Sequence, residues 1–185
     1  MSGDDVRSRL VAAGERLAAA GLVHSSEGNL SLRLDASTCL VTPAGSDLGR
    51  LDPEELVEVA VDASEIPARA TSEVQLHLEL YRRRPDVWAV VHAHPPRLLR
   101  LDATGGLPRS RIIEDHGRML GKIVSAAYFE EGSSALAAAA ADALVRANAC
   151  VLCGHGAVTV GSSLMQAYVR MLDLERAASL TAARS

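Results

Sequence analysis

Six histidines stand in the 185-residue sequence, at positions 24, 77, 92, 94, 116 and 155, and two of them belong to the run VVHAHPP. The apolar stretch from Trp88 to His92 reads as a buried strand. Side chains two apart on a strand share a face, so His92 and His94 can point at one ion. They can equally be two hydrogen-bonded polar residues at a strand exit, although neutral imidazole is a common zinc ligand. His155, in CVLCGHGAV, is a third candidate, because its flanking glycines allow a sharp turn and remove bulk around the ring. Three histidines around one divalent ion with a position left open is the arrangement of a catalytic site rather than a closed structural one.

Glu73 follows Thr71-Ser72 at the predicted start of a helix. It is either a first-turn acid that favours the helix dipole or a general acid/base presented to the metal, and residue types alone leave both open. Thr71 and Ser72 also read as ordinary N-capping hydroxyls. Cys150 and Cys153 form one Cys-x-x-Cys, whereas a zinc ribbon needs a second such pair. With Val151 and Leu152 between them, both thiols are expected to be buried packing residues. Cys39 makes the count odd, which excludes a disulfide framework and points to a reducing cytoplasm.

The elements that must position these groups follow from periodicity. Asp4 to Ala20 carries Val6, Leu10, Val11 and Leu17 at helical spacing, with Gly21 as a C-terminal cap. Alternation from Asn29 to Asp35 and a second run, Cys39 to Thr42, predict a hairpin. Asp52-Pro53 starts a short helix, and Val57 to Val61 resembles a strand. A helix from Val74 through Tyr81 is ended by Pro85, and Pro95-Pro96 stops the strand of VVHAHPP. Ala103 to Lys122 has weak periodicity and receives no element. Strands are expected at Ser125 to Phe129, Ala149 to Leu152 and Ala157 to Val160, with helices at Ser133 to Ala147 and from Ser162 onward. Interleaved strands and helices predict a mixed sheet covered by helices on both faces, in one domain spanning the chain.

Composition removes other classes. A net charge of -4 without a basic stripe lacks the footprint of a nucleic-acid binder. No window approaches the roughly 20 apolar residues of a membrane span. The opening MSGDDVRSRL carries acids where a secretory signal has a basic start, so export is not expected. Only five residues are aromatic: Tyr81, Trp88, Tyr128, Phe129 and Tyr168. The core must therefore be aliphatic.

In order, Gly28-Asn29-Leu30-Ser31, Thr42-Pro43-Ala44-Gly45, Thr71-Ser72-Glu73, VVHAHPP and Gly154-His155-Gly156 resemble the class II aldolase/adducin family over roughly Val6 to Ala178. The resemblance implies a three-layer α/β/α fold around a central mixed, largely antiparallel sheet. It also implies a homotetramer with active sites at subunit interfaces. His92, His94 and His155 then correspond to the ligands of a divalent ion, usually zinc, with manganese, iron or cobalt as alternatives. Glu73 corresponds to the acid/base group, and Gly28, Asn29, Thr42, Gly45, Thr71 and Ser72 to a phosphate pocket. The implied reaction is retro-aldol cleavage of a small phosphorylated ketose through an enediolate. Decarboxylation, epimerisation or dehydration of a sugar phosphate or keto acid is the alternative on the same scaffold. A non-catalytic adducin-like interaction domain ranks below both, since that reading predicts eroded metal ligands. Two departures stand out. Ala44 replaces the hydroxyl residue often found in Thr-Pro-x-Gly, and the segment RIIEDHGRMLGKIV lacks the tyrosine such aldolases donate across the interface. His116 or Glu114 is a candidate replacement there, with a charged solvent-facing turn as the plain reading.

Overall fold

The computed structural model describes residues 3–183. Its helices are α1 (Gly3–Ala19), α2 (Val74–Arg83), α3 (Pro96–Asp102), α4 (Glu114–Leu120), α5 (Ser134–Leu144) and α6 (Leu164–Ala182). The strands are β1 (Asn29–Arg33), β2 (Thr38–Val41), β3 (Val57–Ala60), β4 (Ala89–Ala93), β5 (Ile123–Ala126), β6 (Ala149–Leu152) and β7 (Gly156–Gly161). They form one sheet in the order β3-β2-β1-β4-β7-β6-β5. Every neighbouring pair is antiparallel except β5 with β6.

Two apolar clusters cover the opposite faces of this sheet. Ala89, Val91, Ala149 and Val151 face one cluster, completed by Leu10 and Leu17 of α1, Leu98 of α3, Leu120 of α4 and Met171 of α6. Val90, Cys150 and Leu152 face the other, with Leu78 and Tyr81 of α2 and Leu136 and Ala140 of α5. The result is the expected α/β/α layering. Among the described residues, Tyr81 is the one fully enclosed member of the five Tyr, Trp and Phe, at 2% exposure, with Tyr168 packed partly buried against the first cluster. Buried leucines, each contributing roughly 1.5–3 kcal/mol, do the work that aromatic rings do elsewhere.

Several predicted boundaries move. Pro95-Pro96 lies past the end of β4 at Ala93, as expected, but it also starts a helix that was not expected, α3, with Pro95 at the N-cap. The buried Glu175 of α6 accepts from the Arg97 and Leu98 amides at 3.1 and 3.0 Å, satisfying helix-start donors that the prolines leave free. α4 lies in the segment that received no element. β5 ends at Ala126 instead of Phe129, because its pairing with β6 stops at Leu152 and the chain then leaves the sheet. Tyr128 and Phe129 are exposed in the loop that follows. Asp52-Pro53 opens a single 3-10 turn closed by a capping box with Glu55. Cys150 is buried as expected, and Cys39 is buried too, but Cys153 is partly exposed, since it lies past the end of β6. Among the described residues, no helix is long and apolar enough to cross a membrane.

Candidate metal-dependent active site

The end of β4 and the β6–β7 turn bring three imidazoles together. His92 lies in β4, opposite Val158 of β7, and His94 follows directly after the strand. His155 occupies the turn between Gly154 and Gly156. Ring centroids are 5.0 Å apart for His92 and His94, 4.9 Å for His92 and His155, and 5.2 Å for His94 and His155. One nitrogen from each ring lies within 4.8 Å of the other two. Gly156 makes this convergence possible: a Cβ there would lie 2.6 Å from the Ala93 carbonyl oxygen and 2.7 Å from Cδ2 of His94. Gly28 admits β4 in the same way, since its Cβ would meet the His92 carbonyl at 2.7 Å, and its φ of 73° suits glycine.

The donor set fits a divalent ion. The Nδ1 of His92 donates to the Ala157 carbonyl at 3.0 Å, which orients the ring and turns Nε2 toward its partners. Nε2 of His94 lies 3.2 Å from Nε2 of His92. Both ring nitrogens of His155 are buried without a hydrogen-bond partner, as is Oε1 of Glu73. Buried polar atoms are costly unless something satisfies them, and a cation among three imidazoles does so.

Glu73 sits at the N-cap of α2, though its side chain does not cap the helix. Its Oε2 accepts from Nδ2 of Asn29 at 2.9 Å and lies 3.0 Å from Nε2 of His92, while Oε1 lies 3.7 Å from Nε2 of His155. Burial opposes its ionisation. The charge and hydrogen bond of His92, the Asn29 amide and His155 outweigh burial and bring the carboxyl down to about 2. Burial likewise works against a charge on His92, but Glu73 lifts that imidazole above its ordinary value. Burial and the neighbouring rings of His92 and His155 push His94 down to about 4, and burial with His92 lowers His155.

Above these groups opens a cleft of about 190 Å³ lined by Gly28, Asn29, Gly45, Thr71, Ser72, Glu73 and His94. The expected pocket residues are therefore brought together with one exception. Thr42 is fully buried and its hydroxyl accepts from the Leu30 amide at 3.1 Å, so it ties β1 to β2 behind the cleft. Glu114 and His116 do not line the cleft. Glu114 pairs with Arg118 on an exposed face of α4, and His116 is buried with Nε2 at 3.5 Å from Asp173 of α6. Glu27 and Glu131 also line the cleft and were not anticipated. Glu27 stands 3.7 Å from Nδ1 of His94 and lies one residue before the Gly28-Asn29 motif, which was its only signal.

The profile of the Class II Aldolase and Adducin N-terminal domain matches residues 8–182. The chain belongs to this family. It is 35% identical over 179 residues to the 3-oxo-tetronate 4-phosphate decarboxylase of Pectobacterium atrosepticum, spanning 94% of this chain and 82% of that protein. It is 33% identical over 160 residues to the L-fuculose phosphate aldolase of Methanocaldococcus jannaschii, spanning 86% of each. Among solved structures, L-fuculose-1-phosphate aldolase from Thermus thermophilus superposes with a TM-score of 0.87 at 32% identity, covering 96% of this chain and 92% of that one. YgbL from Escherichia coli superposes with a TM-score of 0.90 at 31% identity, covering 99% and 91%. The expected fold class and family are those observed.

Proposed function

We propose that this class II aldolase-family chain is a zinc-dependent lyase that breaks a carbon–carbon bond beside a carbonyl group in a small phosphorylated ketose or sugar acid. The observation that carries the reading is the Glu73 carboxylate set against three converging imidazoles at the foot of a small polar cleft, with Oε2 tied and Oε1 unpartnered. His92, His94 and His155 hold the ion. When bound, it supplies Lewis-acid polarisation of the substrate's carbonyl and stabilises the negative charge left as the bond breaks. Glu73 is the acid/base group, handing a proton to the carbon left with the electron pair of the broken bond.

The phosphate is bound by Asn29, by Thr71 and Ser72 at the start of α2, and by backbone amides around Gly28 and Gly45. The cleft's charged lining, apart from His94, consists of Glu27, Glu73 and Glu131. Three carboxylates repel an anion, so the ion's two positive charges are needed for substrate to bind as well as to react. In a tetramer with interface sites, the exposed Glu114 would serve a neighbouring copy's cleft and not its own, whereas His116 stays buried against Asp173 of its own chain.

Aldol cleavage is the leading reaction, and decarboxylation is the second reading. Relatives named 3-oxo-tetronate 4-phosphate decarboxylase match at 32–36% identity. No tyrosine is among the cleft's lining residues. Departing carbon dioxide carries no proton, whereas a retro-aldol step must strip one from the leaving hydroxyl, so decarboxylation needs one acid/base group fewer.

Elemental analysis of protein purified without chelator is expected to find about one divalent ion per chain. His94→Ala should lose metal and turnover together. Glu73→Gln should keep fold and metal but lose turnover, and unchanged kinetics in that variant would remove Glu73 from the chemistry.

A further inference from the structure

Behind Glu73 runs a buried polar ladder whose members beyond Asn29 do not line the cleft. Glu73, His77 and Tyr81 stand four residues apart along α2 and its N-cap, a step of ~6 Å at the helical rise. Asn29, Ser31 and Arg33 alternate along one face of β1, a step of ~6.7 Å. The two repeats match closely enough to interleave. Asn29 joins Glu73 at 2.9 Å, His77 joins Asn29 at 2.5 Å, Ser31 joins His77 at 2.7 Å and Tyr81 joins Ser31 at 2.6 Å. Arg33 closes the far end, with Cζ 4.8 Å from the Tyr81 ring centre and its guanidinium donating to the Tyr81 carbonyl. Ser31 and His77 are fully buried, and Asn29, Glu73 and Tyr81 are 5%, 3% and 2% exposed.

The direction of every bond follows from one end. The Glu73 carboxylate can only accept, so the Asn29 nitrogen donates and its Oδ1 is left to accept. His77 must then donate from Nε2; the opposite tautomer would set two lone pairs against each other at 2.5 Å. A neutral ring leaves Nδ1 bare, so the Ser31 hydroxyl donates to it and the Tyr81 hydroxyl donates to Ser31. All four bonds donate toward Glu73 and polarise one another in that direction. Complete burial of His77 opposes a charge on its ring and, against the pull of Glu73, brings its pKa down to about 3.

We propose that His77, locked as the neutral Nε2–H tautomer, is a positioning residue that acts through Asn29 to hold the Glu73 carboxylate in one orientation, with Oε2 tied to Asn29 beside His92 and Oε1 toward His155. This rests on Glu73 being the acid/base group. Without His77, the Asn29 amide can rotate and the carboxylate loses its fixed register, and a misplacement of ~1 Å costs about 100-fold in rate.

The test uses the full zinc-loaded chain labelled with ¹⁵N-histidine, with His77 assigned by comparison with His77→Gln. Its ring should show a protonated Nε2 and a bare Nδ1. On the phosphorylated ketose or keto acid turned over best, His77→Gln, which retains an amide donor at the ε position, should stay within about tenfold of the parent kcat. His77→Leu should lose about 100-fold in kcat with KM and zinc content unchanged. Should His77→Leu not fold, Ser31→Ala and the tautomer decide, with about a tenfold loss of kcat expected. A ring protonated at Nδ1, or leucine and alanine variants within twofold of the parent while Glu73→Gln is inactive, would overturn the positioning role and leave the lyase reading standing. A fully active Glu73→Gln would overturn both.

Discussion

Gly156→Ala puts one methyl group where three backbone and ring atoms already stand. Its Cβ would lie 2.6 Å from the Ala93 carbonyl oxygen, 2.7 Å from Cδ2 of His94 and 3.3 Å from Cε1 of His92. The first neighbour is backbone of the last residue pair of the β4–β7 ladder and cannot move without fraying it; the other two are candidate ligands. Overpacking of this kind costs about 1–3 kcal/mol in folding stability. Displacing the two rings should weaken zinc binding by about 10- to 100-fold, the range for disturbing the support of ligating histidines. Gly154→Ala is the matched control. Its φ of 69° costs an alanine about 1–2 kcal/mol, yet its Cβ would meet only Cδ2 of Tyr128, at 3.4 Å. Urea unfolding of the metal-stripped proteins and zinc titration against a competing chelator separate the two effects. Both variants should lose stability, but only Gly156→Ala should lose zinc affinity. Equal zinc affinity in parent and Gly156→Ala protein would refute the claim that this glycine exists to admit the two imidazoles.

Other parts of the structure make independent predictions. Thr42→Val should cost about 1–3 kcal/mol, because the buried Leu30 amide loses its acceptor, and should leave KM for a phosphorylated substrate unchanged; a large rise in KM would return Thr42 to the phosphate pocket. Glu175→Ala should destabilise the fold by about 1–2 kcal/mol in urea, since two amides at the start of α3 lose their shared acceptor; an unchanged midpoint would mean that water replaces the carboxylate at no cost. In native protein at neutral pH, a thiol reagent should label Cys153 first, because burial pushes Cys39 and Cys150 each up to about 12. Fast labelling of all three cysteines would contradict the packed sheet interior.

The histidine trio was legible because a strand and a glycine-flanked turn leave few ways to aim a side chain. His-x-His on β4 fixes two rings on one face, and the spacing of GHG supplies the third. The layering was legible for a similar reason: the β4 run VVH and the alternation of β1 state which faces are covered. The misreadings share a cause. Pro95-Pro96 end the strand as expected, but the helix they open, α3, was missed because the acceptor for its first amides, Glu175, lies 78 residues beyond Arg97 on α6. Tyr128 and Phe129 have strand-like side chains, but β5 ends where its partner β6 runs out. Thr42 shares a motif with Gly45 yet points its hydroxyl at the backbone of β1. The ladder behind Glu73 was written in the sequence as Glu73, His77 and Tyr81 at i, i+4 and i+8 against Asn29 and Ser31 at i and i+2. Those two periods mean something only once α2 is known to lie along β1.

The central claim is that the trio holds an ion without which no carbon–carbon bond is broken. Its most direct test is turnover of ketose 1-phosphates and phosphorylated 3-oxo acids by zinc-loaded, chelator-stripped and zinc-restored protein, with aldehyde and carbon dioxide release followed separately. The structure predicts cleavage by the loaded protein, loss of it on stripping and recovery on adding zinc. Cleavage that survives complete removal of the metal would contradict the claim.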